Sequence, residues 1–250
     1  YIYNIMINMI NFQPLEQFEI VIFNVLGFPI TNSLIYLTLV YLVIRFFFGI
    51  LFSRLKIIPY NLQSFFELVY NFVFGLIKQQ IGTRGYFYFP IVLTLFLFIA
   101  IANMVGMTLY SFTLTSHVTV AFTLSFSFFI GVVIIGLLIQ KSDFIYTFIP
   151  SGAPGYLLPF LIVIEIISYL SRPFSLGIRL FANMMSGHTL LAILSSFTFA
   201  ISKNNILIAF IPFALIVAII GLETMIAILQ AYVFTVLICI YLNDSIYGSH

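Results

Sequence analysis

The stretch LLPFLIVIEIISYLSRPFSLGIRLFANMMSGHTLLAILSSFTFAIS occupies residues 157–202, and a second apolar stretch at 206–242 follows it after Lys203, Asn204 and Asn205. As one straight helix the first stretch is about 68 Å long, more than twice the roughly 30 Å hydrocarbon core of a bilayer. Each stretch is therefore either two short spans or one tilted or bent helix. Between Ser171 and Gly187 nothing is typical of a solvent-exposed loop, although Pro173 can bend a helix. We favour two long, steeply tilted helices forming an antiparallel hairpin over residues 157–202 and 206–245.

The composition of the whole chain is that of a membrane protein. Of 250 residues, 63% are hydrophobic and 6% are charged, whereas an ordinary soluble domain has about 25% charged residues. The net charge of +2 is scattered, and no basic run could form a nucleic-acid surface. We therefore expect lipid, and no nucleic acid, as a partner. The single cysteine, Cys239, lies in an apolar run and is expected to be structural.

Apart from the hairpin, the chain contains three further apolar spans and one amphipathic segment. Apolar runs at 33–52, 90–110 and 118–139 are long enough to cross a bilayer. Residues 59–80 carry apolar side chains on one helical face, which predicts an amphipathic interfacial helix. Residues 1–29 are expected to be an N-terminal surface segment. The predicted fold class is therefore an all-α polytopic membrane protein with about five membrane helices and one interfacial helix, in a single membrane domain covering 1–250.

The basic residues of the loops predict the orientation. Arg54, Lys56, Lys78 and Arg84 all fall between the first and second spans. The positive-inside rule places that loop on the matrix side if the membrane is mitochondrial. Five spans then put the N-terminus on the intermembrane side and His250 in the matrix. The chain has 31 Phe, 15 Tyr and no Trp, a bias that fits an organellar genome.

Ionisable residues inside membrane helices are costly and are functional candidates by default. Glu165, Arg172 and Arg179 are spaced by sevens and lie near one helical face. Arg179 has no carboxylate three or four residues away on its own helix. Its counter-charge is therefore expected from elsewhere.

A hairpin that turns at Asn204 and Asn205 places polar residues opposite each other in three layers. The simplest register puts Glu165 opposite Asp244, Arg179 opposite Gln230, and His188 near Glu223. Carboxylates and histidine exchange protons near physiological pH, whereas a guanidinium stays charged. The pattern therefore predicts a proton path that is interrupted in the middle by Arg179.

At this point the residues resemble a known family. The string SRPFSLGIRLFANMMSGH at 171–188 closely resembles the signature of the ATP synthase subunit a family. Further resemblance lies in PLEQFE at 14–19, in Asn103 with Gly106, in Ser116 with His117, in Gly221–Glu223, and in Gln230–Tyr232. His188, Glu223 and the ending IYLND at 240–244 favour the mitochondrial form.

The resemblance implies a role for each matching residue. Arg179 resembles the essential stator charge that faces a rotating c-ring, whose subunits each carry one carboxylate, and that separates two aqueous half-channels. The remaining site residues then divide into an intermembrane-side path (His188, Glu223, Asn103, His117), a matrix-side path (Glu165, Asp244) and supporting polar positions (Asn183, Gln230, Arg172, Ser175). The resemblance also implies proton transport, no catalytic centre and no cofactor in this chain, a mitochondrial inner-membrane location, and contacts with the peripheral-stalk subunit b and other membrane subunits.

Several alternatives stay open from the sequence. Arg179 could pair with a carboxylate of its own chain, Arg172 could be a structural partner of Glu165, and His188 could be an ordinary packed histidine. A zinc site at His188 and Glu223 would have too few ligands, so no metal is expected. The rival functions are a secondary transporter, for which no internal repeat is found, and a proton-pumping subunit of the respiratory chain.

Overall fold

The computed structural model describes residues 18–25, 28–53, 61–108, 112–141, 144, 156–203 and 206–248. Six α-helices dominate these residues. They are α1 (Asn32–Ser53), α2 (Asn61–Gln80), α3 (Phe89–Gly106), α4 (Val118–Gln140), α5 (Leu158–Ser202) and α6 (Ile206–Tyr247). Short 3-10 helices at Thr83–Tyr88 and Leu114–Ser116 precede α3 and α4. Within the described ranges, five helices are long and apolar enough to cross a membrane, which confirms the predicted fold class.

Part of the N-terminal surface segment forms a small β-hairpin that the sequence did not predict. Strand β1 (Ile22–Val25) pairs antiparallel with β2 (Phe28–Thr31), and Ile22 lies opposite Thr31. Thr31 then starts α1, because its Oγ1 accepts a hydrogen bond from the backbone N–H of Leu34 at 3.3 Å, which satisfies a free amide of the first helical turn. Residues 1–17 and 26–27 of the segment predicted at 1–29 lie outside the described residues.

The two long apolar stretches are each one helix. Helix α5 has 45 residues and α6 has 42, so two long helices form here and not four short ones. Pro159 lies in the first turn of α5, where its missing N–H costs nothing. Pro173 and Pro212 lie inside α5 and α6, and both helices continue through them.

The core lies where α3, α4, α5 and α6 meet. Its fully buried side chains include Val92, Ile99, Leu180, Phe234 and Cys239. Gly177 lets α5 approach α4, because a Cβ at this position would lie 2.9 Å from the Ser125 Oγ and 3.4 Å from the ring of Phe122. The core therefore fixes α5 and α6 against two shorter helices, and this positions the polar residues of the hairpin.

Candidate functional site

Three polar contacts join α5 to α6. The Arg172 Nη1 donates to the Asp244 Oδ2 at 3.1 Å. The Asn183 Nδ2 donates to the Gln230 Oε1 at 3.0 Å. The His188 Nε2 lies 3.8 Å from the Glu223 Oε1, too far for a hydrogen bond. Together these contacts establish an antiparallel hairpin with layered polar groups.

The register predicted for two of these layers was wrong. Asp244 contacts Arg172 and not Glu165, and Gln230 contacts Asn183 and not Arg179. The predicted register would bring the carboxylates of Glu165 and Asp244 together, which is electrostatically unfavourable. Arg172 lies two turns farther along α5, pairs with Asp244 and neutralises its charge. The third layer, His188 near Glu223, is as predicted.

Arg172 has a closely defined environment at one end of the hairpin. Its guanidinium carbon lies 5.1 Å from the centre of the Tyr169 ring and 5.1 Å from the centre of the Tyr241 ring, distances typical of cation–π contacts. The Gln140 Nε2 of α4 donates to the backbone oxygens of Asp244 and Ser245 at 3.1 and 2.8 Å. Arg172 is therefore the partner of Asp244, and the alternative in which Arg172 pairs with Glu165 does not occur.

Arg179 lies near the middle of α5 and is half-buried. Within the described residues, neither an ion pair nor a hydrogen bond joins it to another side chain. The half-buried Glu165 likewise has no ion pair among those residues. Ser175, one turn before Arg179, is exposed. The described part of the chain thus supplies Arg179 with no carboxylate.

Glu223 is 4% exposed and sits against Gly187. A Cβ at Gly187 would overlap the carboxylate, since it would lie 2.7 Å from the Glu223 Cδ. The glycine in front of His188 therefore provides the space that the Glu223 side chain occupies. Phe18, from the N-terminal segment, meets the imidazole of His188 edge-on at 6.5 Å.

Asn103 and His117 come to the same half of the hairpin from α3 and the turn before α4. The Asn103 Nδ2 donates to the backbone oxygen of Ala227, one turn beyond Glu223, at 3.2 Å. His117 stacks on Phe112 with ring centres 4.8 Å apart, and burial lowers the pKa of its imidazole below the ordinary 6.5. The structure thus brings Asn103 into the neighbourhood of Glu223.

Buried polar atoms without a hydrogen-bond partner mark this half of the molecule. Within the described residues they are Asn103 Oδ1, Thr115 Oγ1, His117 Nε2, His188 Nε2, both carboxylate oxygens of Glu223 and Gln230 Nε2. Buried polar groups in native proteins nearly always bond to protein or to ordered water. Since the described protein does not satisfy these atoms, water is the natural partner. The atoms lie on α3, in the turn before α4, on α5 and on α6.

Thr115 is the member of this set that the sequence did not single out. It is 2% exposed, and the 3-10 turn that carries it packs against α3 and α5. The only signal was its place in the short polar segment between two spans, which by itself indicates a turn. Its neighbours Thr113 and Ser116 bond to each other at 2.5 Å, so Thr115 differs from them in its unpartnered hydroxyl.

The described residues contain no group of three or more His, Cys, Asp or Glu side chains that could hold a metal ion. The expectation that this chain binds no metal or cofactor stays a prediction. What the site offers is titratable and hydrogen-bonding groups on both sides of a permanent cation, the components of proton transfer.

Comparisons with known proteins agree with this reading. The family described as ATP synthase A chain matches residues 34–243. The ATP synthase subunit a of Acanthamoeba castellanii is 47% identical over 245 residues, which cover 96% of this chain and 99% of the relative. The ATP synthase subunit a of Chondrus crispus is 44% identical over 239 residues, covering 92% and 94%. These matches exclude the secondary transporter and the respiratory-chain subunit. The chain therefore belongs to the ATP synthase A chain family, as a multi-pass membrane subunit of the proton-translocating F0 part of ATP synthase.

Proposed function

We propose that this chain provides two offset aqueous half-channels to a c-ring, with Arg179 as the charge that separates them. The observation that carries the proposal is the half-buried guanidinium of Arg179, which has no carboxylate partner among the described residues. A cation inside a membrane helix needs a counter-ion or water. A carboxylate presented by a neighbouring, moving subunit supplies one without fixing the arginine permanently.

The first half-channel runs from the turn before α4 to Glu223. The unpartnered atoms of Asn103, Thr115, His117, His188 and Glu223 support it, because hydration satisfies all of them together. A proton relay needs groups that exchange protons with water, and His188 and Glu223 lie 3.8 Å apart with polar atoms that no described protein group satisfies. The Asn183–Gln230 pair lies between this region and Arg179 along α5, and the first half-channel ends at this pair.

The second half-channel lies at the other end of the hairpin, with Glu165 and Asp244. Asp244 is fixed by Arg172, whereas Glu165 has no ion pair among the described residues. Glu165 is therefore the group that accepts the departing proton, and Asp244, whose charge Arg172 balances, joins α6 to α5 at this end of the path. Ser175 lies between Arg172 and Arg179 on α5 and contributes an exposed hydroxyl to the same side.

Rotation follows from the cost of charge in lipid. A ring carboxylate that takes a proton near Glu223 becomes neutral and can enter lipid, where the anion is strongly disfavoured. After almost a full turn it releases the proton toward Glu165, and the resulting anion is attracted to Arg179. One proton charge that crosses the membrane provides about 2.3 kcal/mol per 100 mV. The chain gates protons, and ATP is made elsewhere in the complex.

The location and orientation belong to the same proposal. The residues Arg54, Lys56, Lys78 and Arg84 favour the matrix side for the segment between α1 and α3. The membrane is then the mitochondrial inner membrane, with the N-terminus on the intermembrane side and the C-terminus in the matrix. The exposed apolar faces of α1 and α4 are available for lipid, subunit b and other membrane subunits.

The test is ATP-driven proton pumping by the intact complex in vesicles, with Arg179→Ala, Arg179→Lys and the matched control Arg45→Ala. Arg45 lies exposed in α1, away from the hairpin, so its removal takes away an intramembrane arginine without touching the site. We expect coupled pumping to be lost in both Arg179 variants at normal assembly and retained in Arg45→Ala. Unchanged pumping and passive proton flux in Arg179→Ala would overturn the proposal.

A further inference from the structure

A groove of about 700 Å³ lies between the interfacial helix α2 and the last helix. Its walls are Asn71, Phe72, Gly75, Leu76 and Gln79 of α2 and Met225, Ile228, Leu229 and Tyr232 of α6. None of the side chains that join α5 to α6 through polar contacts lines it. The groove is therefore separate from the proposed proton path.

The groove is open at Gly75. A Cβ at this position would meet no atom within 4 Å, so the described protein leaves the space beside it unfilled. On the opposite wall Met225 is 65% exposed, and Ile228 and Leu229 are half-exposed. An apolar, unfilled groove of this size is within the range of ligand sites in proteins.

Helix α2 places the groove at the surface of the bilayer. Its inner face buries Val73, Leu76 and Ile77, while Leu62 and Leu68 on the outside are 63% and 65% exposed. A helix that exposes large apolar side chains as well as Lys78 and Gln79 suits the boundary between head groups and acyl chains. The mouth of the groove thus opens where lipid head groups lie.

A positive charge lies beside one end of the groove. Lys78 follows Asn71 by seven residues and Gly75 by three, so it shares their helical face, and it is exposed. Glu67, one turn before Asn71, is already bonded to the Gln63 Nε2 at 2.7 Å. The amide of Gln79 therefore lines one end of the groove, and the ammonium of the adjacent Lys78 lies beside it; together they are a pair of donors suited to a phosphate oxygen.

The length of the groove argues against a partner helix as its occupant. Its residues span nine positions of α2 and eight of α6, or about 12 and 10 Å along the two helices. A transmembrane helix of about 30 Å would contact it over only a third of its length. A groove of this length suits one acyl chain whose phosphate stays at the surface.

We propose that this groove binds one phospholipid, with an acyl chain against Gly75, Leu76 and Ile228 and the phosphate at Lys78 and Gln79. The site prefers an anionic head group, because a basic residue at the membrane surface favours anionic lipid about fivefold. The lipid fills the gap between α2 and α6 and fixes the interfacial helix against the last span.

The test is photo-crosslinking in the intact ATP synthase complex reconstituted into vesicles. The probe is phosphatidylglycerol or phosphatidylcholine with a diazirine in one acyl chain, and crosslinked residues are identified by mass spectrometry. The variants are Gly75→Leu, which fills the groove, Lys78→Gln, and the matched control Gly49→Leu, whose added Cβ also meets open space. Crosslinks to Leu138, which is 72% exposed on α4, report bulk lipid.

We expect crosslinks at residues 225–232 in the wild type and in Gly49→Leu, and their loss in Gly75→Leu while those at Leu138 persist. Phosphatidylglycerol should label these residues about fivefold more than phosphatidylcholine does, and Lys78→Gln should remove the difference. Labelling that Gly75→Leu leaves unchanged would overturn the site. Wild-type labelling confined to bulk positions would show that a neighbouring subunit covers the groove, which would also overturn it. A head-group preference that survives Lys78→Gln would refute the placement of the phosphate.

Discussion

Replacement of Gly187 by alanine tests whether the position of the Glu223 carboxylate controls proton access. The added methyl carbon would lie 2.7 Å from the Glu223 Cδ and 3.1 Å from its Cγ. Non-bonded carbons prefer about 3.5–4.0 Å, so the carboxyl group must move by about 1 Å. The change thus displaces one titratable group without altering any charge.

The energetic terms have opposite signs and can be separated. In an exposed helix, glycine to alanine stabilises by about 1 kcal/mol, whereas overpacking of a buried site costs about 1–3 kcal/mol. A displacement of about 1 Å at a site of proton transfer can lower the rate by about a hundredfold. We therefore expect a modest change in stability and a large loss of pumping.

The assay is ATP-driven proton pumping and passive proton flux at equal assembly. Gly221→Ala is the matched control, because it lies two residues before Glu223 on α6 and its Cβ would meet nothing within 4 Å. The double variant Gly187→Ala with Glu223→Asp removes one methylene where the methyl was added, and it should recover part of the lost pumping.

Two results would refute the reasoning. One is normal pumping by Gly187→Ala, which would mean that the carboxylate position does not matter. The other is an equal loss in Gly221→Ala, which would assign the effect to the helix backbone and not to the contact with Glu223.

Two further predictions concern Arg172 and His117. Arg172→Gln should destabilise the assembled complex by about 1–3 kcal/mol in thermal unfolding, because an ion pair and two cation–π contacts are lost. The stability of Arg172→Lys should lie between that of Arg172→Gln and that of the wild type. Equal unfolding temperatures for all three proteins would contradict the role of these contacts. Burial lowers the pKa of the His117 imidazole in the folded protein below 6.5. As the pH drops below about 6.5, the unfolded chain therefore binds a proton at His117 more readily than the folded chain does. The stability of the folded protein should fall over this pH range. His117→Gln should lessen this loss, as measured by thermal unfolding at pH 7.5 and 5.5, and an identical loss in both proteins would exclude His117 as the cause.

The fold class could be predicted because a helix needs about 20 mostly apolar residues to cross a bilayer, and runs of this length are visible in the sequence. The runs at 33–52, 90–110 and 118–139 correspond to α1, α3 and α4 in the structure. Each long stretch forms a single helix, and the two helices continue through Pro173 and Pro212. The β-hairpin at 22–31 was not predicted, because residues 1–29 were assigned to a surface segment without any secondary structure.

The contacts between the polar residues of the two long helices could be predicted only in part. His188 and Glu223 meet as expected, because they lie in the stretch nearest the turn, where a register error is smallest. Farther from the turn the error in the predicted register of α5 against α6 grows. There the opposite charges determine the pairing, so Asp244 contacts Arg172 and not Glu165. Sequence also gave no means of finding Thr115, whose only distinction is a buried hydroxyl without a partner.

The length of α5 has a consequence for how its residues are spread in the membrane. A helix of 45 residues stays within a core of about 30 Å only if its axis leans about 60° from the membrane normal, so each residue descends about 0.7 Å and not 1.5 Å. The nine residues from Arg179 to His188 then differ in depth by about 6 Å but lie about 12 Å apart in the plane of the membrane. A shift of one turn along this helix therefore moves a group sideways more than it moves it inward. Over one or two turns, neighbouring subunits therefore meet residues of α5 that differ more in lateral position than in depth.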